Sequence, residues 1–243
     1  MNNAIRDEIA SHCRRLRLRR LTEHLDDIHE ESHEAFLLEL LRREVVHRDA
    51  ARVERSIKAA GFYAMKSLED FVFDEVTLPA AVSMESLADL RFIEDRHNLI
   101  LYGNVGTGKT HLATALGIEA CRRRYKVQFW RTAALVNYLL RIHDGGDLQP
   151  FLKQIEKLDL LVCDEWGYVP VHRTGAQLLF QVISACYEKR SLILTTNLEF
   201  SKWVNIFLDE AMTTAMIDRL IHHSHLLIFD GESHRVKNSL MRR

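Results

Sequence analysis

Proline is almost missing from this sequence, at three residues in 243, and glycine is sparse at ten. Their scarcity excludes collagen-like repeats and Pro/Gly-rich low-complexity chains, while an apolar content of 47% is enough for an ordinary core. Cysteine is scarce as well. Cys13, Cys121, Cys163 and Cys186 are scattered without a C-x-x-C pair, which fits reduced thiols better than a disulfide frame or a zinc site. No sign of charge dominates: 33 basic residues face 34 acidic ones, so only local clusters can hint at a nucleic-acid partner. No apolar run approaches the roughly 20 residues of a membrane-spanning helix. The opening "MNNAIRDEIASHCRR" has charges where a signal peptide has its apolar core. The expectation is a soluble cytoplasmic chain with no membrane partner, built as one large domain or as a domain with a smaller appendage.

Residues 1–60 contain no proline or glycine, and their apolar residues recur at helical spacing. Ile5, Ile9, Leu16, Leu21, Leu25 and Ile28 form one stripe; Phe36, Leu37, Leu40, Leu41 and Val45 form another. Ser32 suits an N-cap and Gly61 a C-cap for the second helix. The basic "RRLRLRR" (14–20) precedes the acidic "EHLDDIHEESHE" (23–34). Such blocks are either solvated faces and interhelical pairs or, for the arginines, DNA-phosphate contacts. Residues 61–79 read as a connector packed across the following domain, with Phe71 or Phe73 near a bound base as an alternative. The remainder, 80–243, reads as one α/β domain. Its apolar runs at 99–102, 127–130, 158–163, 191–196 and 225–229 are too short for helices and alternate with helical patterns at 109–124, 133–142, 150–157, 174–190 and 212–223. Continuous apolar strands imply a parallel sheet covered on both faces.

"YGNVGTGKTHLA" (102–113) places G-x-x-x-x-G-K-T between such a strand and a helix, the setting that the P-loop requires. In Gly103, Asn104, Val105, Gly106, Thr107 and Gly108 the backbone can curl its N–H groups toward phosphate oxygens, and the helix N-terminus adds partial positive charge. Lys109 can bridge β- and γ-phosphates, and the Thr110 hydroxyl can complete a Mg²⁺ shell. These residues predict ATP and Mg²⁺ as cofactors. "LDLLVCDEWG" (158–167) is an apolar strand ending in two acids. Asp164 suits a metal ligand beside Thr110, and Glu165 suits a base for an attacking water. Asn197, closing "SLILTTN", can hold that water or sense the γ-phosphate, or can be a turn residue. Arg219 in "MIDRLIHHSH" can reach a neighbouring subunit's phosphate, or can pair with Asp218 or another acid. The histidines of "HHSH" (222–225) have no evident ligand partners in the sequence and read as helix-end and surface residues, so no metal site is expected there.

These elements, in this order, resemble a P-loop NTPase of the AAA+ type, with Walker A, Walker B plus glutamate, sensor-1 asparagine and arginine finger. A small-molecule kinase would need an acceptor site and usually a lid, and neither is visible. More specifically, "GTGKTHLA", "DEWGYVP", "RTGAQLLFQVISACYEKRS", "TTNLEFSKW", "MTTAMIDRLIHHSHLL" and "GESHRVKNSLMRR" resemble the IstB family of transposition helper ATPases, relatives of DnaC helicase loaders. The connector and helical region fit that family more loosely, so the resemblance covers nearly the whole chain.

The resemblance implies a small all-helical N-terminal domain before a three-layer αβα ATPase domain without the C-terminal lid. Only fourteen residues, 230–243, follow the last strand. Arg235 in "GESHR" is a candidate for the sensor-2 role that a lid would otherwise house, while Trp166 and His234 stand where relatives often carry other residues. The resemblance also implies an ATP-dependent homo-oligomer on double-stranded DNA, bound mostly without sequence preference, that marks a target for a partner transposase and dissociates on hydrolysis. Two rival expectations are a DnaC-like replicative helicase loader and an ATP-gated DNA-binding scaffold with little hydrolysis. "CRRRYK" (121–126), "RRLRLRR" and "KNSLMRR" are basic patches available to DNA, or are exposed solubilising faces. Residues 133–157 lie where initiator-type relatives insert a DNA-facing helix.

Overall fold

The computed structural model describes residues 2–18, 20–30, 32–167 and 172–234. Two compact units divide it, Met1–Arg55 and Ser56–Arg243. The first is helical. It contains α1 (Asn2–Arg15), a 3₁₀ turn (Leu21–His24) and most of α2 (His33–Ala60). Ser32 caps α2, its Oγ accepting from the Ala35 N–H at 3.1 Å, and Gly61 follows the helix at φ +83°. The helical pattern expected over 1–60 runs to Ala60 in α2, while the first compact unit ends at Arg55. The reason is that Ala60 and, in part, Ile57 join the core beneath the sheet of the second unit.

In the second unit the chain continues through β1 (Val76–Thr77), α3 (Met84–Ala88), α4 (Arg91–Glu94), β2 (Asn98–Gly103), α5 (Lys109–Arg122), β3 (Val127–Arg131), α6 (Thr132–Asp144) and α7 (Leu148–Ile155). It then forms β4 (Leu160–Trp166), α8 (Arg173–Cys186), β5 (Ser191–Thr196), α9 (Val204–Phe207), α10 (Glu210–His222) and β6 (Ser224–Phe229). The strand order is β1-β6-β2-β5-β4-β3. All pairs are parallel except β1 with β6, where Val76 faces Phe229 and Thr77 faces Ile228.

Alternation along the strands feeds two cores. Leu160 and Val162 of β4 join Leu99 and Leu101 of β2 under α5. Leu161 and Cys163 point the other way, with Leu192 and Leu194, toward α6, α7, α8 and α10. This is a three-layer αβα unit, and the apolar continuity of its strands follows from burial on both faces. Relative to the sequence reading, β1, α3, α4 and α9 are additional, being too short to show a period of their own. All four cysteines are buried and free. Burial pushes the Cys121 thiol up to about 11 and the Cys186 thiol up to about 12, so neither supplies a thiolate near neutral pH.

Candidate nucleotide site

In a parallel sheet the loops at the carboxyl ends of the strands form the binding crevice. Here β2, β5 and β4 lie side by side, so the loop after β2 and the last residues of β5 and β4 meet at one edge. Gly103 ends β2 where a side chain has no room, since a Cβ there would sit 2.2 Å from the Phe229 carbonyl oxygen of β6. The loop then turns into α5 through Gly108, whose φ of +98° favours glycine, with the Phe71 ring packed against it. Lys109, 9% exposed, folds back into the loop. Its Nζ donates to the Gly103 carbonyl at 2.8 Å and also to the Asn104 carbonyl and Thr107 Oγ1. Thr107 Oγ1 in turn donates to the Asn104 carbonyl at 2.8 Å. The lysine charge is thus held beside the loop amides.

The acidic side of the crevice is built by a break in the β4–β5 ladder. Cys163 pairs with Leu194 and Trp166 with Thr196, so Asp164 and Glu165 together oppose the single residue Thr195. This is a β-bulge, a device that re-aims side chains next to functional sites. It puts Glu165 in the left-handed region, at φ +59°, which costs a non-glycine residue on the order of 1 kcal/mol. Thr195 compensates. It accepts the Glu165 N–H at 2.9 Å and donates to Asp164 Oδ1 at 2.5 Å. Thr110 Oγ1 donates to the same Asp164 oxygen at 2.9 Å, and Thr132 Oγ1 donates to the Asp164 carbonyl. Asp164 is 1% exposed, whereas the Glu165 side chain is exposed and is not among the residues lining the crevice, with the Arg131 guanidinium 3.8 Å from its Oε2. Arg131 itself stacks over the Tyr63 ring at 4.3 Å.

The crevice has a volume of about 520 Å³, within the usual range for small-molecule sites. Its walls include Gly106, Gly108, Lys109, Thr110 and Asp164, together with Tyr63, Phe71 and Arg131. A glycine-lined loop, a cation and a buried hydroxyl–carboxylate pair are a donor set that fits a nucleotide's phosphates with Mg²⁺. Of the two connector phenylalanines, Phe71 lines the crevice, while Phe73 packs edge-on against Phe71 at 4.8 Å, in the core beneath.

The sequence-predicted site residues do not all converge. Gly106, Gly108, Lys109, Thr110 and Asp164 line the crevice, and Gly103, Asn104 and Thr107 supply its inner hydrogen bonds. Val105 is exposed at the tip of the loop. Asn197 is half-buried just beyond β5 and is not among the lining residues. The residue of that strand which touches Asp164 is Thr195. Arg219 is not paired with Asp218. Its Nη1 donates to Ser184 Oγ at 2.6 Å, and its guanidinium lies 4.4 Å from the Phe180 ring centroid on α8. Arg235 and the "KNSLMRR" tail lie outside the described residues, as do Tyr168, Val169 and Pro170. In "CRRRYK", Cys121 is buried, and Arg123 donates to the Ala88 and Asp89 carbonyls at the end of α3 while pairing with Glu119. That arginine is committed to the fold. Sequence reasoning missed Thr195, Thr132, Arg131 and Tyr63; "LTTN" and "WRT" carry polar residues at strand ends, which is the only local signal for three of them.

Comparison with known proteins agrees with this geometry. The family model described as IstB-like ATP binding protein matches residues 11–241. A protein named as an ATP-binding protein of insertion sequence IS5376, from Geobacillus stearothermophilus, is 35% identical over 239 residues, covering 96% of this chain and 95% of that one. Its counterpart named for insertion sequence IS232, from Bacillus thuringiensis subsp. berliner, is 32% identical over 240 residues, covering 95% of each. Among solved structures, the replication initiator DnaA bound to AMPPCP and single-stranded DNA matches with a TM-score of 0.55 at 20% identity, over 70% of this chain and 52% of that chain. The DnaC helicase loader matches with a TM-score of 0.50 at 23% identity, over 62% of this chain and 91% of that one. Likenesses at that identity establish the P-loop AAA+ fold. Among the described residues, no helix is long and apolar enough to cross a membrane.

Proposed function

This chain belongs to the family of IstB-like ATP-binding proteins, and from that premise we propose that it is a Mg²⁺-dependent ATPase that helps an insertion sequence transpose. In this reading it assembles with ATP as a homo-oligomer on double-stranded DNA, presents that target to a partner transposase and leaves when ATP is hydrolysed. The relatives' names tie them to insertion sequences, which supports the transposase as client over a replicative helicase. The observation that carries the ATPase reading is the joint held by Thr195, which fixes the Asp164 carboxylate and the Glu165 backbone with one hydroxyl while Thr110 reaches the same carboxylate from α5.

Mg²⁺-ATP, when bound, supplies the phosphoanhydride whose cleavage drives the cycle. The chain's own residues have separate tasks. The Gly103–Gly108 loop offers backbone N–H groups to the phosphates, and Lys109 exchanges its loop carbonyls for phosphate oxygens. Thr110 and Asp164, already joined through their side chains, would hold the metal. Glu165, exposed and paired with Arg131, takes the proton of the attacking water. Asn197, one residue beyond β5, is the amide assigned to orient that water. Arg219 reaches a neighbouring protomer's site once its hold on Ser184 and Phe180 is released, which keeps basal turnover slow in an isolated chain.

Glu165→Gln tests the assignment of the base. The expected outcome is unchanged ATP affinity and ATP-dependent assembly, with turnover reduced on the order of 10²–10⁴-fold. Wild-type turnover in that variant would place the base elsewhere.

A further inference from the structure

At the opposite end of the sheet, where the strands begin, the fold gathers side chains that the nucleotide site does not use. The turn between α8 and β5 carries Glu188 at φ +56°, and α10 ends at His222, with His223 as its C-cap immediately before β6. β5 and β6 both flank β2, and α8 packs on α10 through Ser184, Phe180 and Arg219, so both turns reach the same corner. One ligand atom from each of Glu188, His222 and His223 falls within 4.8 Å of the others.

The chemistry of this trio is that of a metal site. His223 Nε2 lies 3.3 Å from Glu188 Oε1. For ligands bound at about 2.05 Å in tetrahedral geometry, the ligand–ligand separation is about 3.3 Å, so this pair already spans one tetrahedral edge. The His222 ring has a hydrogen-bond partner of the kind that orients a metal-bound imidazole, and the His223 ring has an aromatic neighbour. The Tyr187 hydroxyl is 3.3 Å from His222 Nδ1, and the His97 ring stacks on His223 at 6.3 Å with an interplanar angle of 11°. His225, the third histidine of the sequence run, is diverted to His97, at 3.1 Å between Nε2 and Nδ1. Glu188 and His222 are exposed and His223 is half-buried, so a cation can enter without unfolding and keep water in its remaining position.

We propose that Glu188, His222 and His223 form a binding site for one Zn²⁺-type transition-metal ion, separate from the Mg²⁺-ATP site. Glu188 is the partner that the linear sequence conceals, 34 and 35 positions before the two histidines. The mixed imidazole–carboxylate set suits Zn²⁺, Co²⁺ or Ni²⁺ over Mg²⁺ or Ca²⁺, which prefer all-oxygen shells. The ion would join the end of α8 to the end of α10, the two helices that hold Arg219.

The test uses the full chain, stripped of metal by a chelator and free of nucleotide. Co²⁺ is titrated by visible absorption, and Zn²⁺ by competition with a chromophoric chelator. One equivalent per chain is expected, with the intense d–d bands of four- or five-coordinate Co²⁺, displaced by Zn²⁺. His223→Ala and Glu188→Ala should each weaken Zn²⁺ binding at least about tenfold, and Tyr187→Phe by a smaller factor. His225→Ala should leave the affinity unchanged. Thermal melts without metal identify any variant that fails to fold, and the two ligand variants lie on different elements, so either one serves. Substoichiometric binding by the wild type would overturn the proposal. So would one equivalent that survives both His223→Ala and Glu188→Ala, since another set of the chain's 13 histidines would then hold the ion.

Discussion

The two units of this chain use similar apolar residues to different ends. In the sheet unit Leu99, Leu101, Leu160 and Leu161 are fully buried, each strand being covered on both faces. Among the described residues of the helical unit only Cys13, Ile28 and Leu40 are buried apolar residues, while Leu37, Leu41, Val45 and Val46 of α2 are 43–69% exposed. Polar contacts supplement this small core. Arg6 pairs with Asp26, Arg48 with the buried Glu44, and Arg48 also donates to the Arg17 carbonyl. Regular periodicity therefore announces a helix without announcing what covers it. The sheet unit is a finished core carrying the candidate nucleotide crevice, and the helical unit leaves apolar side chains exposed.

The contrast can be broken by substitution. Leu101→Ala, in the sheet core, should cost about 3 kcal/mol in a urea melt. Thr195→Val should cost about 2 kcal/mol, because two hydrogen bonds at a buried carboxylate and a bulged N–H are lost together, and it should lower ATP turnover with little effect on ATP affinity. Ser32→Ala removes the α2 cap and should cost about 1 kcal/mol, read from the helical unit's transition. Leu41→Ala should change the isolated chain's stability by less than about 0.5 kcal/mol. A larger loss at Leu41 than at Leu101 would reverse the comparison.

Much of the sheet unit was legible because its signals are local. The five parallel strands lie within a few residues of the apolar runs, and the G-x-x-x-x-G-K-T string fixes the loop that it encodes. The remaining features depend on pairing across the fold. The β4 bulge exists only as a mismatch of two residues against one on β5, so neither the backbone of Glu165 nor the role of Thr195 is written in either strand alone. Tyr63 and Phe71 reach the crevice because the connector runs along α5, with His111 Nε2 3.0 Å from the Ser67 carbonyl. Arg123 looked free as part of a basic run and is fixed by carbonyls 34 and 35 positions away. Strand β1 consists of two residues and has no period to read.

If a nucleotide in the crevice controls assembly on duplex DNA, sedimentation of the purified chain with duplex DNA, Mg²⁺ and a non-cleavable ATP analogue should reveal it. The expected result is a large protein–DNA complex at modest ionic strength, absent without the analogue and absent for Lys109→Ala. A wild-type chain that stays monomeric and unbound to DNA under those conditions, while binding the analogue, would contradict it.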